Sequence, residues 1–196
     1  MSISLNEIYD QIDKVIIYLS QDKPIDKWKI QKGVFYFLWL NSRRNTKKDN
    51  KFIEIAKKIQ IHPDKQGPYS ETIDGEVEML IRDGFLDVVD PASKALPVKA
   101  SSKGLSEFLN GIDPKEEFCL SEIKNIFDTL NSYEVLFFIY FNPYIPDDIK
   151  EYFISKSEIK EGLEVKKDKY IERLLDCDII DDLTANKMLE KIDKLV

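Results

Sequence analysis

The residues that could do chemistry are few and far apart in this chain of 196 residues. His62 is the single histidine, and Cys119 and Cys177 are isolated, without a CxxC spacing. A transition-metal site or a nucleophile–base pair needs such side chains as partners. The sequence also has no Gly-rich phosphate loop. It therefore predicts a protein that is not an enzyme, with no catalytic residue, metal or cofactor and no indicated small-molecule ligand.

Paired carboxylates occur at Asp147-Asp148 and Asp181-Asp182. Each pair falls just ahead of a segment with helical apolar spacing. Helix N-termini attract Asp, whose side chain accepts from unsatisfied backbone N–H groups. The pairs are therefore interpreted as helix caps.

The charge is unevenly distributed. Residues 20–65 carry 12 Lys and Arg against 5 Asp and Glu, whereas residues 112–196 carry 12 against 20. Residues 41–51 contain no apolar residue and are predicted to be a basic loop. A basic patch can bind nucleic acid, but it can equally be solvated or contact an acidic partner. The candidate nucleic-acid contacts are Arg43, Arg44, Lys47, Lys48, Lys51, Lys57 and Lys58.

The clearest structural signal is a turn that starts a helix. Gly67 and Pro68 favour a turn, and after Tyr69 the hydroxyl of Ser70 can cap a helix that Gly84 ends. Apolar residues recur at helical spacing along one face of that helix, at Ile73, Val77, Leu80 and Ile81. Residues 85–89 and 96–99 read as two strands joined by a tip at 90–94. A helix followed by a strand hairpin predicts the second half of a winged helix-turn-helix.

The other face of that helix is acidic. Its predicted exposed residues include Glu71, Asp74, Glu78 and Arg82. Three carboxylates beside one Arg repel DNA phosphates at close range. This face is therefore interpreted as a protein contact or a solvated surface rather than as an ordinary major-groove reader.

The remaining pattern is helical. Helices are predicted at 5–20, 26–40, 52–59, 101–110, 116–130, 133–141, 147–153, 165–177 and 183–195. The apolar run at 34–40 predicts a central buried helix. Turn residues at 111–114 and the change to acidic composition place a domain boundary there. The expected fold class is mostly α with a small β-wing, as a winged helix-turn-helix domain at 1–111 followed by an acidic helical extension at 112–196.

Aromatic residues cluster in the extension. They are Tyr133, Phe137, Phe138, Tyr140, Phe141 and Tyr144. One small bundle cannot bury every side of such a run, so most are expected in the core and the rest on a partner or self-association surface.

Three segments resemble a known group of prokaryotic winged-helix proteins. They are IDKWKIQKGVFYFLWL, IHPDKQGPYSETIDGEVEMLIRDGFLDV and SSKGLSEFL. The group comprises the YwgA-type families and, more distantly, the Panacea (SocA-like) antitoxin domain. The later segment LNSYEVLFFIYFNPYIP also resembles the helical extension that some members carry, so the resemblance covers residues 25–146. It implies a winged-helix fold and a regulatory association, with no catalytic residues. The positions that match the shared signature are Pro63, Gly67, Pro68, Tyr69, Ser70, Gly84, Lys103 and Gly104.

The function expected from these patterns is regulatory. We expect an adaptor or regulator that acts through a protein partner or self-association, with an antitoxin-like role as one form of it. The alternative is a DNA-binding transcriptional regulator that contacts phosphates through the basic residues at 43–58. No apolar run reaches the roughly 20 residues of a membrane helix, and residues 1–19 do not resemble a signal peptide, so a cytoplasmic location and no membrane partner are expected.

Overall fold

The computed structural model describes residues 4–46, 50–64, 67–147, 149–150, 162 and 165–193, with the backbone only for 44–46 and 50. The described chain is mostly helical, as predicted, and it has two small sheets of two strands each. The helices are α1 (Leu5–Leu19), α2 (Lys27–Thr46), α3 (Asn50–Lys58), α4 (Glu71–Arg82), α5 (Ser102–Phe108), α6 (Pro114–Thr129), α7 (Ser132–Phe141), α8 (Lys167–Asp176) and α9 (Asp182–Asp193). The strands are β1 (His62–Asp64), β2 (Gly67–Tyr69), β3 (Leu86–Val88) and β4 (Val98–Ala100).

The chain divides into two compact units. One contains residues 1–61 and 69–128, and the other contains residues 62–68 and 129–196. The division at Asp128 differs from the boundary expected at 111–114. α6 belongs to the first unit because its side chains reach α1 and α2: Lys124 donates to the Leu19 carbonyl at 3.4 Å, and the Phe127 carbonyl accepts from Lys29 at 2.9 Å.

α2 is the central helix of the first unit. Its residues from Ile30 to Trp39 are buried on every side, which confirms the prediction from the apolar run. α1, α3 and α4 pack against it. Phe35 meets Phe52 of α3 edge-to-face, with ring centroids 5.5 Å apart, a favourable geometry for aromatic pairs.

The prediction of a basic loop at 41–51 was wrong for its described part. α2 continues to Thr46 and α3 begins at Asn50, so Arg43, Arg44 and Lys51 are helical. Arginine is a good helix former, and polar composition alone does not end a helix. Ser42 is buried, with its hydroxyl donating to the Trp39 carbonyl at 2.8 Å within the same helix.

The predicted strand hairpin is present. β3 and β4 are antiparallel, with Leu86 opposite Ala100 and Val88 opposite Val98. Ile25, in the connection between α1 and α2, adds a bridge to the other edge of β4. The second strand starts later than expected, since Leu96 has a left-handed φ of 44° and cannot be part of a regular strand.

The second unit is built around α7. Asn131 and Glu134 form a reciprocal capping box at its start. Phe137 packs against Tyr170 of α8, with ring centroids 5.0 Å apart. Asp148 and residues 151–153 of the predicted helix at 147–153 lie outside the described residues.

Candidate functional site

The start of α4 is held by Ser70. Gly67, Pro68 and Tyr69, which were predicted as a turn, form strand β2. Gly67 has a φ of 94°, a left-handed conformation that favours glycine, and Ser70 follows the strand as the cap of α4. The Ser70 hydroxyl accepts from the Ile73 amide at 3.3 Å and donates to the Ile59 carbonyl. The predicted N-cap is confirmed, and Ser70 is completely buried.

The side chain of Gln31, in α2, binds the backbone of Ser70. Its position in an apolar helix did not suggest this role. Its side-chain Nε2 donates to the Ser70 carbonyl at 2.9 Å, and its Oε1 accepts from the Ser70 amide at 3.1 Å. Gln31 is only 2% exposed. The side chain therefore binds both backbone polar groups of the buried N-cap residue. The Ser70 carbonyl also accepts from the Asp74 amide at 3.2 Å, so it is the Ser70 amide that would be costly to leave without Gln31.

Asp74 takes part in the same network. It accepts from Gln31 Nε2 at 2.7 Å and from the Tyr69 hydroxyl at 2.8 Å, and it lies 3.2 Å from the Lys27 ammonium. These contacts turn Asp74 towards α2 and leave it half-buried. Asp74 is therefore a structural carboxylate rather than a fully exposed member of the predicted contact face.

The exposed face of α4 is narrower than predicted. Its fully exposed residues are Glu71, Gly75, Glu78 and Arg82. Their spacing of four, three and four residues places them on one stripe of the helix. We call these four residues the α4 stripe.

Two of the charges on the α4 stripe have partners. Glu78 lies 3.1 Å from the Lys27 ammonium. Arg82 lies 2.9 Å from Asp83, and its guanidinium lowers the pKa of that carboxyl. The stripe and its immediate neighbours still carry more carboxylates than cations. Glu71 and Asp74 are two further carboxylates beside the pairs that Glu78 forms with Lys27 and Asp83 forms with Arg82.

Gly75 lies in the middle of the α4 stripe, where no neighbouring atom requires a residue without a side chain. A Cβ atom at Gly75 would meet no atom within 4 Å. Glycine inside a helix costs about 0.5–1 kcal/mol relative to alanine. The stripe therefore has a flat point at which another backbone could approach closely.

The far end of α4 is fastened by the Ser-x-Lys-Gly segment. The Ser101 hydroxyl donates to the Gly84 carbonyl at 2.8 Å, and the Lys103 ammonium donates to the Asp83 carbonyl at 2.7 Å. A Cβ atom at Gly104 would lie 2.3 Å from the Phe85 carbonyl oxygen. Within the described structure these three residues stabilise the junction between α4 and β3.

The basic residues do not form a single loop. Arg43 is exposed on α2 and stacks on Trp39, 5.7 Å from the ring centroid. On α3, Lys51 is half-buried, Lys57 is exposed, and Lys58 lies 3.0 Å from Glu54. The Arg44 side chain and the whole of Lys47 and Lys48 lie outside the described residues.

The aromatic cluster divides as expected. Phe137, Phe138, Tyr140 and Phe141 are buried, whereas Tyr133 is 63% exposed and Tyr144 is 44% exposed. The exposed rings of Tyr133 and Tyr144 therefore form apolar surface on the second unit.

The single histidine and the two cysteines differ in exposure. His62 is exposed on β1, Cys119 is buried, and Cys177 is partly buried. Among the described residues, no group of three or more His, Cys, Asp or Glu side chains could hold a metal ion. Asp181 accepts from the Thr184 amide at 2.8 Å, as a cap of α9. Hydrogen bonds from the Thr184 side chain and then from its amide lower the pKa of Asp181. No helix in the described part of the chain is long and apolar enough to cross a membrane.

Comparison with known proteins finds no matching family model and no curated protein with significant similarity. The resemblance to the YwgA-type and Panacea groups therefore stays a prediction from the quoted motifs.

Proposed function

We propose that this protein is a non-enzymatic regulatory or adaptor protein of the winged-helix type that binds a protein partner through the α4 stripe. The element order supports the winged-helix assignment. The helices α1, α2 and α3 and the short strands β1 and β2 precede α4, and the β3–β4 hairpin follows it with Ile25 bridged to β4. A helix followed directly by a strand hairpin is the order of a recognition helix and its wing.

The observation that carries the proposal is the charge of the α4 stripe. In a DNA-binding winged helix, the residues at the start of this helix face the major groove. Here the start of the helix presents Glu71, and Glu78 follows on the same stripe. Phosphate binding dominates nucleic-acid affinity, so this surface fits a basic protein partner better than DNA.

The partner proposal predicts a charge-dependent interaction. The double variant Glu71→Lys with Glu78→Lys reverses two exposed charges and is expected to abolish co-purification of the partner from the native host. The matched control is Glu172→Lys with Glu190→Lys, which makes the same change at exposed positions of α8 and α9. If both variants lose the partner equally, or if neither loses it, the α4 stripe is not the surface that binds the partner. An antitoxin-like role requires in addition that the captured partner is a toxin whose activity this protein suppresses.

DNA binding is the second candidate function, and the exposure of Arg43 and Lys57 favours it. A gel-shift titration at several salt concentrations measures the phosphate contribution, since each phosphate contact steepens the salt dependence. Under the DNA hypothesis, Arg43→Glu with Lys57→Glu weakens binding, and the control Lys166→Glu with Lys169→Glu does not. Absence of binding even at low salt removes this candidate.

A further inference from the structure

β3 forms the outer edge of the β3–β4 hairpin. β4 lies between β3 and Ile25, since it pairs with β3 on one side and carries the Ile25 bridge on the other. The Val98 amide donates to the Ile25 carbonyl at 3.0 Å, the Ile25 amide donates back at 2.9 Å, and the Ala100 amide donates to the Ser20 carbonyl at 3.0 Å. Both sides of β4 are therefore occupied, whereas β3 pairs, within the described residues, on one side only.

These hydrogen bonds fix the direction of the peptide groups in the hairpin. Val98 and Ala100 direct theirs away from β3, and residues along an antiparallel strand alternate between the two sides. Lys99, between them, therefore directs its N–H and C=O groups towards Asp87, its partner in β3. Asp87 uses its own peptide groups inside the hairpin for the same reason.

Leu86 and Val88 consequently direct their peptide groups to the outer edge. The alternation agrees with Val89, whose amide donates to the Pro97 carbonyl at 2.9 Å inside the hairpin. Across the part of the chain that the structure describes, no residue forms a hydrogen bond with Leu86 or Val88 from the outer side. A row of free N–H and C=O groups at a sheet edge is the arrangement to which a further strand can add.

The side chains of β3 divide between the core and the solvent. Leu86 is buried and Val88 is half-buried, whereas Asp87 is exposed and Val89 is 51% exposed on the opposite face. Asp87 lies opposite Lys99 of β4, so one flank of this carboxylate already faces a cation. Its other flank lies where a further strand would place a side chain of its own.

We propose that the outer edge of β3 binds an extended segment of a partner protein as an added antiparallel strand, with a Lys or Arg of that segment opposite Asp87 and apolar residues on either side of the cation. This edge is a different surface from the α4 stripe, and the proposal does not depend on the function proposed above.

The charge of this edge selects a basic segment. Residues 83–90 contain three aspartates and no lysine or arginine, and all three aspartates are exposed. A cation opposite Asp87 makes a favourable cross-strand pair. The residues on either side of that cation point to the other face of the sheet, where apolar side chains continue the row of Leu86 and Val88.

A second copy of this chain fits the same edge poorly. If two β3 strands pair antiparallel so that Leu86 and Val88 of both copies use their free peptide groups, Asp87 of one copy lies directly opposite Asp87 of the other. Like charges at directly opposite positions destabilise a strand pair. Asp87 therefore protects the edge from self-pairing, as charged residues on edge strands commonly do, and leaves it open to a basic strand.

An NMR titration of the full chain with a short capped peptide of alternating valine and lysine tests the proposal. The amide signals of Leu86 and Val88 should shift most, and exchange of these amides with solvent should slow, because both N–H groups gain acceptors. No shift at these two residues, even with a large excess of peptide, would overturn the proposal. Shifts confined to the α4 stripe would also overturn it, while leaving the function proposed above in place.

Methylation of the peptide backbone separates strand addition from general charge attraction. With a lysine opposite Asp87, the valine amides of the peptide face β3 and the lysine amides point away from it. N-methyl groups on the valines should therefore abolish the shifts, whereas N-methyl groups on the lysines should preserve them. The two peptides carry the same charge and the protein is unchanged, so equal binding of both would overturn the proposal.

Asp87→Asn tests the position of the cation. This variant should bind the unmethylated peptide up to about fivefold more weakly, as expected for loss of one cross-strand charge pair. The matched control Asp10→Asn removes an exposed charge from α1 and should bind as the wild type does. Equal affinity of the two variants would overturn the placement of the cation opposite Asp87. If the Leu86 and Val88 signals shift with protein concentration alone, the occupant is a second copy and the proposal is overturned.

Discussion

Gln31 and Ser70 exchange two hydrogen bonds across the interface between α2 and the start of α4, at 2.9 Å and 3.1 Å. A glutamine side chain has the same donor and acceptor groups as a peptide unit. It therefore pairs with the backbone of Ser70 as a neighbouring strand would. This pairing fixes where α4 begins relative to α2, and so sets the direction of the α4 stripe.

Gln31→Ala is expected to lower the free energy of unfolding by about 1–3 kcal/mol, since the buried amide of Ser70 loses its hydrogen bond to Gln31, whereas the Ser70 carbonyl still accepts from the Asp74 amide. Denaturant unfolding monitored by circular dichroism measures the change. The matched control is Gln11→Ala on α1, where Gln11 is half-buried and meets Asn41 at 3.5 Å. A loss at Gln31 no larger than that at Gln11 would show that the reciprocal pair does little for stability.

Gly104→Ala is expected to destabilise the protein by about 1–3 kcal/mol, as overpacking usually does. The new Cβ would lie 2.3 Å from the Phe85 carbonyl oxygen, which is backbone and cannot rotate away. A thermal melt should show the loss as a lower Tm. An unchanged Tm would mean that α5 can shift away from β3 without cost.

Gly75→Ala is expected to have the opposite effect on stability. The added methyl meets open space and alanine favours the helix, so the free energy of unfolding should rise by about 0.5–1 kcal/mol. If a partner approaches α4 closely at this point, the same change weakens partner binding in a pull-down assay. More stable protein with unchanged binding would place the partner elsewhere.

Lys124→Met is expected to cost about 1–3 kcal/mol in the free energy of unfolding. Lys124 is 7% exposed, lies 2.8 Å from Asp128 and reaches the Leu19 carbonyl at the end of α1. The cost stays below the roughly 3–5 kcal/mol of a fully buried pair because Asp128 is only half-buried. Lys115→Met, at an exposed position of the same helix, should change the unfolding midpoint little. Equal losses in the two variants would show that the buried contacts of Lys124 do not stabilise the fold.

Local signals in the sequence predicted much of the helical framework. The spacing of Ile73, Val77 and Leu80 gave the buried face of α4, and Ser70 marked its first turn. Both signals act within a few residues, so they can be found without the fold. The error at 41–51 arose because α2 continues to Thr46 through polar residues, where no apolar pattern marks a helix in the sequence.

The sequence by itself therefore determined that α4 exists, where it starts and that it carries many carboxylates. Only the tertiary structure decided how each carboxylate is used: Asp74 turns inward to Gln31, Glu78 pairs with Lys27, and Glu71 stays exposed. The physical reason is that periodicity assigns a residue to a face, whereas its partners come from other helices far away in the chain. The contacts of these carboxylates therefore depend on how α2 packs against α4.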